Sequence, residues 1–365
     1  MSECVSREYD DLELLTRARR NLEACADWLA NDGACLGRRW QAFMQRIRSA
    51  IGRFSSVAEA VRFAQMSVGF EHRGNIAHEG KFTALYESQL AAEFPALAAH
   101  VDSFGDSPLS DPTTVYEHKG RLVSNVLFWQ ARYVLVCLTY LPRPPRRILE
   151  IGGGYGGPAR HWLRNPIAAP QTYIIVDIPE ALFFADLFLC AHFGEDRVYY
   201  VPSTDPLAED ALKTSQVVLC PLMRKQALKH LQIDLVVNTG SLQEMTEDWV
   251  DHYMSWLDLQ PCHFFYSLNY FAQRLDFIAE GLNLWAPRLS PQWEQRLQPY
   301  NPHWIRLQTE RNYAEIIGEK TGNGALSGDE AKRRADLILE ERFLDGAALL
   351  ELLDLYRRSK DPSLA

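Results

Sequence analysis

One stretch constrains this chain more than any other: Arg147-Ile-Leu-Glu-Ile-Gly-Gly-Gly-Tyr-Gly-Gly-Pro-Ala-Arg160, a short apolar run that passes into glycines and then into a helical pattern. Glycines at 152, 154, 156 and 157 permit a tight turn and leave the backbone bare, so a ligand can approach where a side chain would collide. Strand, glycine turn and helix in that order point to an α/β layer with a mainly parallel sheet. The spacing fits two patterns. Gly152, Gly154 and Gly157 satisfy GxGxxG, whereas Gly152, Gly154 and Gly156 satisfy GxGxG, so the turn alone asks for a nucleotide-like guest without naming it.

Upstream of this stretch the pattern is helical. Apolar residues recur at three-to-four spacing, as in Leu12, Leu15, Leu22 and Leu29, or Val57, Val61 and Ala64, and strand-like alternation is not expected there. Gly105, Pro108 and Pro112 break the region before a long helix from about Gly120, which Pro142, Pro144 and Pro145 stop. Downstream, short apolar runs at 147–151, 173–177, 198–201, 233–238 and 263–268 read as buried strands alternating with helices, and 311–317 offers a late strand. From Gly328 on, Leu337, Leu339, Phe343, Leu349, Leu352 and Leu353 form one apolar helical face. The expected organisation is therefore a helical N-terminal domain (1–144), a doubly wound, Rossmann-like α/β core (145–320) and a C-terminal helical extension (321–365).

Two carboxylates narrow the guest. Glu150 sits two residues before the first glycine at the end of a strand, where it would oppose the pyrophosphate of NAD but suit a cation. S-adenosylmethionine has no phosphate and carries an ammonium and a sulfonium. Asp177 ends the next strand, in Val-Asp-Ile-Pro179, where a carboxylate can accept hydrogen bonds from both ribose hydroxyls. A plainer role for Asp177 is to cap the helix that begins near Pro179.

With Leu-Glu-Ile-Gly-Gly-Gly-Tyr-Gly-Gly at 149–157, Val-Asp-Ile-Pro-Glu at 176–180 and Val-Asn-Thr-Gly-Ser-Leu-Gln-Glu-Met at 237–245, the chain resembles the class I S-adenosylmethionine-dependent methyltransferases. Within them it is similar to the sugar O-methyltransferases of bacterial natural-product and glycan pathways. The likeness covers about Gly120 to Asn269 and is weak at the flanks. It implies methyl transfer to a carbohydrate hydroxyl. Glu150, Gly152, Gly154 and Gly156 would hold the methionine end, Asp177 the ribose, and Ser203, in the loop after the third expected strand, would lie by the adenine.

In an open parallel sheet, ligands bind beyond the carboxyl ends of the strands, so the loop Thr239-Gly-Ser-Leu-Gln-Glu-Met245 is expected near the reactive end of the cofactor. A neutral sugar hydroxyl is a poor nucleophile, and a base that takes its proton favours transfer. Glu244 is the leading candidate, with Gln243 orienting the hydroxyl and Asn238 holding the loop or contacting the cofactor's ammonium. Ser241-Leu-Gln-Glu244 also fits a capping box, which would occupy Glu244 structurally, whereas Thr246 offers a rival helix start that would leave it in the loop. His252, two helical turns on, is the second candidate base; His78 and His118 rank below it. Tyr266 and Asn269, at the end of the fifth expected strand, are candidate substrate residues.

Composition removes several other classes. A formal charge of -9 repels phosphate backbones and anionic lipid, so nucleic acid and membrane partners are not expected. The seven cysteines are scattered, with no CxxC pair and no zinc spacing, which points to reduced thiols in a cytoplasm and to no metal site. The apolar stretch 122–141 contains Asn125, Gln130 and Arg132, so it reads as a buried soluble helix. An NAD-dependent sugar oxidoreductase or epimerase would want YxxxK beyond the fourth strand, and the match, Tyr356 to Lys360, falls in the C-terminal tail. A cofactor-binding partner subunit without catalysis is a further alternative. The expected partner is a sugar acceptor, with the N-terminal domain covering its site and offering a contact for a homo-oligomer.

Overall fold

The computed structural model describes residues 9–26, 38–67, 76–245, 247–272, 293–297 and 312–320. The expected extension 321–365, together with Tyr356 and Lys360, lies outside them. The chain forms two compact units, the first holding the described residues up to His230 apart from Arg38, the second those from Leu231 onward.

In the first unit the helices are α1 (Asp11–Glu23), α2 (Arg38–Ile51), α3 (Val57–Ser67), α4 (Ile76–Glu93), α5 (Asn125–Tyr140), α6 (Gly157–Arg164), α7 (Pro179–Phe193) and α8 (Glu209–Thr214). Its strands are β1 (Tyr116–His118), β2 (Arg121–Val123), β3 (Arg147–Ile151), β4 (Thr172–Asp177), β5 (Val198–Tyr200) and β6 (Val217–Pro221). The last four lie side by side in the order β5-β6-β4-β3, all parallel, with Glu150 opposite Ile175 and Asp177 opposite Pro221. Parallel neighbours joined through helices give the Rossmann-like, doubly wound α/β pattern.

The second unit has β7 (Ile233–Thr239), α9 (Glu247–Leu259), β8 (Cys262–Ala272), β9 (Trp293–Leu297) and β10 (Asn312–Lys320). β7 and β8 are parallel, and β10 runs antiparallel between β8 and β9. The mixed character arises here, at a long strand whose alternate residues Ile316 and Glu315 point to opposite faces, one buried and one half-buried.

Three expectations differ from the structure. The region before β3 does contain strands: β1 and β2 form a hairpin about Lys119 and Gly120, both at positive φ (52° and 74°), as a two-residue hairpin turn demands. The following helix accordingly starts at Asn125, its first turn capped by Ser124 Oγ accepting from Leu127 N at 3.2 Å. β6 was not expected either. Val217-Val-Leu-Cys-Pro221 is apolar without alternation, and in a run buried on both faces periodicity cannot separate strand from helix.

Nor does the chain divide at residue 145. The reason is α7, apolar on every side and buried from Pro179 to Ala191. Its two acidic residues are sockets for earlier helices. Asp186 accepts from Arg17 Nε at 3.1 Å and Asn21 Nδ2 at 2.8 Å, both on α1, and Glu180 accepts from Arg48 Nε of α2 at 2.7 Å. Phe54 and Phe63 meet Phe183 and Phe184 at ring separations of 5.8 to 6.4 Å, adding apolar area to those anchors. The N-terminal helices thus share one core with the parallel strands. α5 is a buried helix as expected, and its Arg132 is paired with Glu93 at 2.7 Å. Among the described residues no helix is long and apolar enough to cross a membrane.

Candidate functional site

Backbone conformation settles which glycines the turn needs. Gly152, Gly154 and Gly156 adopt φ of 74°, 56° and 90°, the left-handed region that side chains avoid, so the working pattern is GxGxG. Gly156 is also the N-cap of α6. Gly153 is needed for space: a Cβ there would lie 2.7 Å from Ile175 Cγ2 and 2.8 Å from Glu150 Oε2. The loop is tied down by Gly152 N donating to Val176 O at 2.8 Å and by Gly154 N donating to Asp177 Oδ2 at 2.8 Å.

Glu150 lies beneath this loop and is fully buried. The Tyr173 hydroxyl donates to its Oε2 at 3.0 Å, whereas Oε1, equally buried, has no hydrogen-bond partner. Burial, opposed by Tyr173 and reinforced by the nearby Asp177, pushes the carboxyl up to about 8. An unpaired buried carboxylate oxygen is costly, and a cation or strong donor is what would satisfy it. An ammonium group fits that requirement and a phosphate does not.

Asp177 is half-buried, and its Oδ1 accepts from Ile178 N at 2.7 Å. Desolvation pushes it up to about 7 against those two backbone donors, with Glu180 adding to the rise. The helix-cap alternative does not form. The N-cap of α7 is Ile178, with no side-chain cap. Asp177 instead braces the glycine loop, with lone pairs to spare for further donors.

Ser203 lies where it was expected, in the loop after the 198–200 strand. It follows β5, the edge strand, and its hydroxyl donates to Asp205 Oδ2 at 2.8 Å while accepting from Asp205 N, a local turn. β4 lies between β3 and β6, and on the β6 side Asp177 is paired with Pro221. Sequence reading missed Pro221 together with β6 itself. It also missed Tyr173, whose signal was present: Tyr173, Ile175 and Asp177 alternate on one face of β4, diagonal to Glu150.

In the second unit, the loop after β7 is knitted by neutral side chains. Asn238 donates through Nδ2 to Ser241 Oγ, and its Oδ1 accepts from Asn269 Nδ2 at 2.9 Å and Leu242 N at 3.4 Å. Asn269 also donates to Ser267 Oγ at 2.8 Å and accepts from Gln243 N at 3.2 Å. Asn238 thus holds the loop, the first of its two expected roles. Residues 242–244 form a single 3-10 turn for which Ser241 supplies no side-chain cap, and α9 starts at Glu247, so Glu244 stands in the loop with its side chain exposed. Gln243 is buried beside it. Tyr266 is fully buried and donates to Glu315 Oε1 of β10 at 2.7 Å, a packing arrangement.

The histidines are dispersed. His252 is exposed on α9, its ring 5.2 Å from that of Trp249. His118 lies in β1, 3.3 Å from Glu87 Oε2, and His78 falls on α4. Cys25, Cys137, Cys190, Cys220 and Cys262 are buried thiols outside any disulfide. Among the described residues no group of three or more His, Cys, Asp and Glu is placed to hold a metal ion.

No family model matches the chain, and none of the curated proteins matches it by sequence. Solved structures resemble it in part. A 23S rRNA methyltransferase, ErmE, is 13% identical over 65% of this chain and 84% of its own, at a TM-score of 0.31. TrmK of M. capricolum, in complex with S-adenosyl-homocysteine, is 13% identical over 63% of this chain and 96% of its own, at 0.32. An rRNA methylase from Escherichia coli is 13% identical over 83% of this chain and 99% of its own, also at 0.32. The strand order described above is what carries the fold.

Proposed function

We propose that this chain is an S-adenosylmethionine-dependent O-methyltransferase acting on a sugar hydroxyl of a glycosylated natural product or glycan. The observation that carries the reading is Glu150 Oε1, a buried carboxylate oxygen without a partner beneath a glycine loop. When bound, S-adenosylmethionine supplies a methyl group activated by the sulfonium it sits on. Glu150 serves the ammonium of the methionine end, the left-handed glycines let the ligand approach the backbone, and Asp177 takes the ribose hydroxyls while bracing Gly154. Adenine contact falls to the residues after β6 at Pro221, with Ser203 the alternative.

Glu244 would take the proton of the acceptor hydroxyl, the loss of which transfer to oxygen requires. An exposed carboxylate on a short, braced turn is suited to that task, because it can hand the proton to water afterwards. Gln243 orients the hydroxyl, Asn238 and Asn269 hold the turn, Tyr266 supports β8 from within, and His252 is the second candidate base. The resemblance at 237–245 is what selects sugar as the acceptor.

Thermal melts test this reading. A ligand that binds only the folded chain raises its melting temperature by mass action. S-adenosylmethionine and S-adenosylhomocysteine should each shift the melt and NAD should not. An equal shift with NAD, or none with any of the three, overturns it.

A further inference from the structure

Glu150 and Tyr173 form a pair whose chemistry exceeds simple attraction for a cation. Both side chains are fully buried. The phenol donates to Oε2 at 3.0 Å, leaving Oε1 as the carboxyl's unoccupied acceptor under the glycine loop. The titratable groups acting on the pair are Asp177 at the far end of β4 and Cys137 of α5, beside the phenol. Neither supplies positive charge to hold a carboxylate ionised, and taking a bare carboxylate out of water favours its neutral form.

Resting on the S-adenosylmethionine reading, we infer that Tyr173 is a positioning residue that makes cofactor binding a proton-releasing step. Its phenol anchors one carboxyl oxygen and leaves the other for the ligand's cation, whose arrival sends the Glu150 proton to solvent. The balance is simple: a neutral carboxyl and a cation become a carboxylate–cation pair plus one solvated proton, with no electrons moved. Affinity therefore rises with pH while Glu150 is protonated in the free protein. It levels off toward about 8, where the carboxyl is already ionised and the ligand's own α-amino group begins to lose its proton.

Tyr173 sets where that profile lies, since a donor to the carboxylate favours the charged form. Tyr173→Phe removes the donor, raising the energy of the ionised carboxyl in the free and bound protein alike. Its effect is largest where binding must drive ionisation.

Titration calorimetry with S-adenosylmethionine, in pairs of buffers of different ionisation enthalpy from pH 6 to 9, measures affinity and protons released together. The wild-type chain should release close to one proton near neutral pH and fewer toward pH 9. Tyr173→Phe should displace the affinity profile to higher pH, with about tenfold weaker binding near neutrality, the scale of a hydrogen bond to a charged group. Glu150→Gln should abolish that release. Binding without proton release, or a Tyr173→Phe profile that is unshifted or lowered equally at every pH, overturns the inference and leaves the cofactor assignment standing. Failure to bind S-adenosylmethionine at any pH overturns both.

Discussion

The loops after β3 and β7 solve opposite problems. The first is built around charge in the wrong solvent: Glu150 is buried with one oxygen unsatisfied, Asp177 is half-buried, and both carboxyls are pushed up toward neutral pH. The second is built from neutral groups that satisfy one another, Asn238, Ser241, Ser267 and Asn269, and places its acid, Glu244, in water. A binding site gains from unmet electrostatic demand, because a ligand of the right charge relieves it. A proton acceptor, the role proposed for Glu244, gains from the reverse: a solvent-exposed carboxylate on a turn held by its own hydrogen bonds.

Stability measurements can break that contrast, and the largest effect belongs to Glu150. Its folded-state value, about 8, lies above that of an unfolded chain, so between the ordinary carboxylate range and 8 the folded protein binds the extra proton. The stabilisation from this group is present at acid pH and is lost as pH rises through 8; Asp177 acts with the same sign up to about 7. Urea titrations of Glu150→Gln should show little change near pH 4 and a gain on the order of a few kcal/mol at pH 9. A variant less stable than wild type at pH 9 would mean that the carboxyl is satisfied after all.

The intermediate effect lies in the neutral network. Asn269→Ala leaves Asn238 Oδ1 and the Gln243 amide short of buried partners and should cost about 1 to 3 kcal/mol, equally at pH 5 and pH 9. A pH-dependent loss would show that the loop carries hidden charge. The smallest effect on stability is that of Glu244→Gln, within about 0.5 kcal/mol for an exposed side chain. Turnover should nevertheless fall on the order of 100-fold with cofactor affinity intact, measured as methyl transfer from labelled cofactor into an acceptor extract. Wild-type turnover in that variant would move the search for the base to His252.

Legibility in the sequence followed the same division. The glycine loop, Glu150 and Asp177 could be read because backbone demands there admit few residue types and because each follows a short apolar run. β6 and the β1–β2 hairpin could not: one is apolar without period, the other has three-residue strands too short to show any. With β6 unread, its C-terminal end, Pro221 beside Asp177, was absent from the candidate site. Side-chain pairings across strands, such as Tyr173 to Glu150 or Asn269 to Asn238, depend on register, and register is a property of the assembled sheet. The union of the N-terminal helices with the parallel strands likewise rests on Asp186 and Glu180, which in sequence look like ordinary polar breaks in an apolar helix.

The Arg17–Asp186 contact also has a cost in time. Its partners are 169 residues apart. A chain made at about 5 to 20 residues per second would leave the apolar stripe of α1, Leu14, Leu15, Ala18 and Leu22, without its socket for roughly 10 to 30 s. During that interval the stripe is an exposed adhesive surface on a nascent chain, so slow synthesis, or any stall before α7 emerges, should favour capture by chaperones or aggregation over folding.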